Sequence, residues 1–319
     1  MKIAIITGAT TFTGCHIADR LNTAGLSVIA THNREMASYE GDEKLRMDWL
    51  KSRNSITRWH RLDLADTQAT DRLIATEKPS VWIHHAGVSK GYGTPAYDLA
   101  QGFKVCLFPL ESIYRSMAEH GDSPGIIITG SSAEYGVSDC KHDESECARP
   151  NDPYGLTKLT ATLYSEQLAN RYGIPTRVAR IFMPIGPFES SSRLVPLVLK
   201  ALKKNEVLRL SACEQIRDYI HVQDLAHGYE RLLNDMEARS QTRFEIFNIC
   251  SGEPLRVRDL LTRITESIRA DLSLLQFGTI PKRPLEPEVL IGDNSKARMK
   301  LGWSPTPLTS YTDVLGFET

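Results

Sequence analysis

At 319 residues the chain exceeds the roughly 100–200 of a typical domain, so a large α/β domain with an appended lobe is expected. Its 38 basic and 39 acidic side chains nearly cancel without a long block of one sign, which argues against a nucleic-acid surface or a polybasic membrane tether. Apolar runs such as Ile126-Ile127-Ile128 are far shorter than the roughly 18 residues of a membrane helix, and Cys15, Cys106, Cys140, Cys147, Cys213 and Cys250 show no Cys-x-x-Cys spacing, so neither a metal site nor a disulfide framework is indicated.

In chain order, residues 2–6 read as a strand. One lysine and a short apolar run precede the first turn, without the long apolar stretch and cleavage site of a signal peptide, and a cytoplasmic protein is expected. The turn TGATTFTG, residues 7–14, follows the strand and opens a helix over 13–23, the place of a dinucleotide fingerprint. Gly8 suits the tight turn and Gly14 the close approach of helix to strand, while Phe12 and Thr13 bring backbone amides to a pyrophosphate. Thr11 stands where a middle glycine is usual, which requires a negative φ and a side chain turned from the phosphate, or a hydroxyl offered near Arg34.

A second strand over 27–31 runs into His32-Asn33-Arg34. No acid is present there to bind a ribose 2′-hydroxyl, whereas Asn33 and Arg34 suit a 2′-phosphate, so NADPH is the expected cofactor; a solvated loop arginine is the alternative. Asp63-Leu64 is expected near the adenine, unless Asp63 only caps a turn. Helices over 67–76 and 107–119 and strands over 81–84 and 125–129 continue the alternation, which predicts a parallel sheet covered on both faces, with ligands at the carboxyl ends of its strands.

Ser131 follows the strand over 125–129, and NDPYGLTK at 151–158 starts a helix with Pro153 in its first turn and Asp152 or Asn151 as cap. Tyr154 and Lys158 then share one helical face. A phenol donates a proton at neutral pH and becomes a base only where a cation lowers its pKa, which Lys158 is expected to supply. Ser131 can hold a substrate oxygen for Tyr154 while hydride moves at the carbon.

With Ser131 and Tyr154-x-x-x-Lys158 added to the glycine turn and Asp63-Leu64, the chain resembles an extended short-chain dehydrogenase/reductase of the kind that acts on nucleotide-diphosphate sugars. RIFMPIGP at 180–187, RDYIHVQDLA at 217–226, FNICSG at 247–252 and the segment 283–305 extend the resemblance over nearly the whole length. The last segment is similar to that of GDP-mannose dehydratases and GDP-4-keto-6-deoxy-mannose reductases. The resemblance implies a Rossmann-type doubly wound sheet over 1–175 that binds NADP(H), and a smaller mixed α/β substrate lobe over 176–319, with a stretch of about 213–250 returning to the first domain. It implies a homodimer through the helices beginning near Leu107 and Tyr154, and a place beside the cofactor for His85 and Ala86, with a core-edge role as the alternative for the histidine.

By the same resemblance Arg217 and Arg283 hold the substrate diphosphate, Glu286 contacts the nucleotide ribose, and Ser132 and Met183 lie against the substrate. Arg217 paired with Asp218 or Asp224, and Glu286 as a loop carboxylate, are the alternatives. Lys158 also binds the nicotinamide ribose in such enzymes. Dehydratases of this kind carry an Asp-Glu pair where this chain has Ser132-Ala133, and GDP-fucose synthases a cysteine where it has Ala133, so neither dehydration nor their epimerisation is expected. What remains is reduction of a 4-keto-6-deoxy sugar by NADPH, with 4-epimerisation on bound NAD as the alternative and an NADPH-binding sensor as the alternative of another class. Three positions depart from the family pattern: Thr11, Gly102 for an asparagine, and Met183 for another.

Overall fold

A computed structural model describes residues 2–282 and 286–308. Its strands are β1 (Ile3–Thr7), β2 (Ser27–His32), β3 (Arg58–Arg61), β4 (Val81–His84), β5 (Gly125–Ser131), β6 (Thr176–Ile181), β7 (Met183–Ile185), β8 (Leu208–Arg209), β9 (Ile216–His221), β10 (Phe244–Ile249), β11 (Pro254–Arg256), β12 (Leu275–Gln276) and β13 (Val289–Leu290). Its α-helices are α1 (Phe12–Thr23), α2 (Gly41–Ser52), α3 (Thr67–Glu77), α4 (Leu99–Cys106), α5 (Leu110–His120), α6 (Pro153–Tyr172), α7 (Leu194–Lys203), α8 (Val222–Ala238) and α9 (Val257–Ser267). Among the described residues no helix is long and apolar enough to cross a membrane.

Seven parallel strands form the central sheet in the order β10-β6-β5-β4-β1-β2-β3. This is the doubly wound Rossmann-type arrangement, and strand order reverses between β1 and β4, where such sheets open a ligand crevice. Successive strand residues point to opposite faces, so Ala4, Ile6, Val81 and Ile83 pack toward α1 and α8 while Ile5, Trp82, Ile126 and Ile128 pack toward α3, α5 and α6. Both faces are buried, as the near-continuous apolar strands require.

A smaller lobe is built on β9, which pairs with β7 and β13 in parallel and β11 antiparallel, with α7 and α9 packed on it. The expected boundary at 175/176 falls just before β6, which lies inside the central sheet. Between β9 and β11 the chain returns to that sheet as α8 and β10. The helix expected over 107–119 begins at Leu110, after a turn that separates it from α4.

Candidate active site

The glycine turn joins β1 to α1 under tight constraints. Gly8 has φ 74°, a left-handed conformation that L side chains rarely adopt, and a Cβ there would meet Ala86 at 3.0 Å. A Cβ on Gly14 would lie 2.1 Å from the Gly8 carbonyl oxygen, so no side chain fits at that crossing. Thr11 has φ −83° and is the N-cap of α1: its hydroxyl accepts from the Gly14 amide at 3.2 Å and donates to the Gly8 carbonyl at 2.8 Å. Its side chain is folded into the turn rather than reaching for Arg34. The amides of Phe12 and Thr13, in the first turn of the helix, have no intrahelical acceptor and form the usual anion-facing end.

At the end of β2, Asn33 and Arg34 are exposed. The Arg34 guanidinium pairs with Glu43 of α2 and lies 4.2 Å over the Tyr39 ring, and Asn33 accepts from the Tyr39 hydroxyl at 3.4 Å. Asp63 accepts from the Ala65 amide at 2.9 Å, the geometry of a turn cap, and Leu64 is in the core. Below the turn, His85 bridges two threonines, Nε2 to Thr13 Oγ1 at 2.9 Å and Nδ1 to Thr129 Oγ1 at 2.8 Å. Burial and then the charge of Lys158 push its pKa down to about 3, so its imidazole is neutral, a donor to one threonine and an acceptor from the other.

Ser131 ends β5, and its backbone amide donates to the buried Glu134 carboxylate at 2.8 Å, which also accepts from Arg180 at 2.8 Å. The buried ion pair fixes the strand end that carries the serine. Asp152 caps α6 by accepting from the Gly155 amide at 2.9 Å, with Pro153 in the first turn, and this sets Tyr154 and Lys158 one turn apart. Lys158 Nζ donates to the Thr129 carbonyl at 2.9 Å. Tyr154 hydrogen-bonds to Ser131, and its ring is boxed edge-on by Tyr92 at 4.8 Å and Tyr97 at 5.7 Å between centroids. Desolvation, reinforced by Tyr92 and Cys106, pushes its phenol well above the ordinary value and outweighs the opposing Ser131 hydrogen bond. Burial is thus the largest influence on the phenol, which the packed site holds in its protonated form.

These elements line one cleft of about 350 Å³, which gathers Thr11, Phe12 and Thr13 from the turn with His85, Ser131, Ser132, Tyr154, Lys158 and Met183. Gly8, Gly14 and Ala86 shape it from behind. Arg217 and Glu286 are not part of its wall; they pair with each other at 3.1 Å, and Arg217 also donates to the carbonyls of Ile216, Pro287 and Glu288. Among the described residues its ion-pair partner is Glu286. Arg283 lies outside the described residues. The cleft wall also holds Tyr92, Glu43, Arg46, Glu189 and Arg193, none of them singled out by the sequence. Arg46 is a polar residue on a core-facing helix position, and Glu189 and Arg193 sit in an irregular loop after β7, so no spacing rule marks them.

The family described as "NAD dependent epimerase/dehydratase family" matches residues 4–250. The GDP-6-deoxy-D-mannose reductase of Pseudomonas aeruginosa is 27% identical over 258 residues, covering 77% of this chain and 81% of its own length. The UDP-glucose 4-epimerase of Halalkalibacterium halodurans is 26% identical over 316 residues, covering 89% and 90%. Among solved structures, UDP-glucuronic acid 4-epimerase from Bacillus cereus in complex with UDP-glucuronic acid and NAD superposes with a TM-score of 0.83 at 20% identity, covering 98% of each chain. With the glycine turn, the serine and the tyrosine–lysine pair in one cleft of a doubly wound sheet, the chain belongs to the NAD dependent epimerase/dehydratase family.

Proposed function

We propose that this protein is a nucleotide-sugar ketoreductase that uses NADPH to reduce the C4 keto group of a nucleotide-diphospho-4-keto-6-deoxy sugar, GDP-linked by preference, to an activated deoxysugar. The observation that carries this reading is the end of β2, where exposed Asn33 and Arg34 stand in place of an acid, an arrangement suited to a 2′-phosphate and so to a cofactor that is consumed rather than retained. The residues present fit a dinucleotide, because the first turn of α1 at Phe12 and Thr13 opens on the same cleft as Tyr154 and Lys158, and the tight packing at Gly8 and Gly14 holds that turn in place. A nicotinamide bound there supplies the hydride to C4.

Around it the chain's own groups do the rest. Ser131 donates to the C4 oxygen and orients it toward Tyr154, which gives up its phenolic proton. Lys158, held by the Thr129 carbonyl at 2.9 Å, places a cation against the phenolate that is left and against the nicotinamide ribose. Ser132 and Ala133 offer no carboxylate for elimination of water, and Glu134 is committed to the Ser131 amide and Arg180. The name of the Pseudomonas relative, a GDP-6-deoxy-D-mannose reductase, supports a GDP-linked 6-deoxy sugar and a reduction. The exposed Phe108 and, along α6, Leu156 and Leu163 support a homodimer through α5 and α6.

One observation favours 4-epimerisation on bound NAD as the second reading. Glu43, which pairs with Arg34, lines the cleft, and a carboxylate at that end suits a ribose with a free 2′-hydroxyl better than one with a 2′-phosphate. The deciding experiment follows NADPH absorbance against GDP-, dTDP-, CDP- and UDP-linked 4-keto-6-deoxy sugars, with the product identified by NMR. Consumption of NADPH with one of them is expected. Interconversion of ordinary sugar nucleotides without net NADPH oxidation replaces the reductase by the epimerase.

A further inference from the structure

Arg46 is the most deeply buried cation of the cleft wall, with 5% of its surface exposed. It sits on the inner face of α2 beside Met47 and Leu50. Its Nε donates to the Phe188 carbonyl at 2.9 Å and its Nη1 to the Thr10 carbonyl at 3.3 Å, so the guanidinium ties the loop after β7 to the glycine turn. Nη2 is buried and has no partner.

A buried cation normally has a counter-ion, because desolvating an unpaired charge costs several kcal/mol by general estimates. The nearby carboxylates Asp42, Glu43 and Glu189 act on it through space, but none makes an ion-pair contact with it. Asp42 accepts from the Ser190 hydroxyl at 2.8 Å and the Ser191 amide at 2.9 Å, Glu43 pairs with Arg34, and Glu189 faces Arg193 at 3.8 Å. Arg46 itself makes no ion pair with any described residue. It lines the same cleft as Thr11, Phe12 and Thr13, whose helix end offers partial positive charge to an anion.

We propose that the Arg46 guanidinium is a ligand of the dinucleotide's pyrophosphate, adding a full positive charge to the backbone cradle of the glycine turn. The assignment rests on the reading that the cleft binds a nicotinamide dinucleotide. The pyrophosphate rather than the 2′-phosphate is its target, because Arg46 grips Thr10 in the phosphate turn whereas Arg34 stands at the ribose end of β2. The carbonyl bonds to Thr10 and Phe188 hold the guanidinium against the glycine turn, so the charge is placed before the cofactor arrives.

The test is isothermal titration of the whole protein with NADPH, NADH and ADP-ribose, all of which carry the pyrophosphate. Arg46→Met keeps the side chain's bulk and removes its charge, and it is expected to weaken all three by the same factor, about ten- to a hundredfold for a lost charge-assisted hydrogen bond. Arg53→Met, at the exposed end of the same helix, is expected to leave all three unchanged. Should Arg46→Met not fold by circular dichroism, Arg46→Lys retains the charge and loses the fork, and an equal but smaller loss for the three ligands supports the proposal. Unchanged binding in a folded Arg46 variant overturns it, and so does a loss confined to NADPH, which would place the group at the 2′-phosphate. Wild-type protein that binds none of the three overturns the dinucleotide reading, a result distinct from failure of the Arg46 assignment alone.

Discussion

Glu189 offers a quantitative test of the cleft's electrostatics. Its carboxyl is buried, one oxygen has no partner, and desolvation raises its pKa from 4.5 to about 7 against the opposing pull of Arg193 and Arg46. A carboxyl whose native pKa lies above its unfolded value binds more protons in the native state over that window. Its contribution to stability is therefore fully present below about pH 4.5 and is lost as pH rises through about 7. Each pKa unit is worth about 1.36 kcal/mol, so ionising Glu189 costs the native state about 3 kcal/mol at pH 8. Glu189→Gln is close to isosteric and cannot ionise. Thermal melts of both proteins at pH 5 and pH 8 are the assay: the variant is expected to gain on the wild type between the two, by several degrees at the upper pH. A variant whose offset from the wild type is the same at both pH values would falsify the argument, because only a group that titrates in that window produces a pH-dependent offset.

Other expectations concern the site directly. Tyr154→Phe removes the proton donor and is expected to lower kcat by about 10²–10⁴-fold while NADPH affinity is retained; stopped assays and titration separate the two, unchanged turnover would remove Tyr154 as the donor, and a wild type that binds NADPH without turning over any 4-keto sugar nucleotide would leave the sensor as the better account. Arg34→Ala is expected to weaken NADPH far more than NADH, and equal effects in titration would remove the 2′-phosphate assignment. Phe108→Glu, in the turn before α5, with Leu163→Glu on α6 places charges on the exposed apolar surface of the proposed dimer, and gel filtration is expected to show wild type as a dimer and the variant as a monomer with the fold intact by circular dichroism.

Much of the fold could be read because local chemistry and global packing agree. The strand over Val81–His84 is uniformly apolar except at its end, and α6 carries its own start signal in Asp152 and Pro153. By contrast α2, GDEKLRMDWLKS, was not visible, because its buried face holds Arg46 along with Met47 and Leu50 and so breaks the apolar period. The proposed catalytic residues were readable because serine at a strand end and Tyr-x-x-x-Lys after a helix start are short-range patterns. The pairing of Arg217 with Glu286 and the loop that brings Glu189 and Arg193 into the cleft depend on contacts between chain segments far apart, which no window of the sequence contains. Asp63 shows the other limit: one residue type suits both a turn cap and a ribose contact, and the Ala65 amide takes the cap geometry.

Two of the three departures from the family pattern, Thr11 and Gly102, have local physical reasons. At Thr11 the hydroxyl takes over the capping of α1, and its negative φ removes the need for glycine, so the turn keeps its shape with a side chain folded inward. At Gly102 a Cβ would lie 2.4 Å from the Tyr97 hydroxyl and 2.9 Å from Thr157 Oγ1, so a larger residue there is incompatible with Tyr97 in its present place. Tyr97 is in turn one of the two rings that box Tyr154 and contribute to the burial that keeps its phenol protonated. The glycine and the tyrosine are thus a coupled pair: enlarging residue 102 must displace Tyr97, open the wall beside Tyr154 and let water lower the phenol's pKa. Thr11 is self-contained by comparison, since its two hydrogen bonds both fall within the turn it caps.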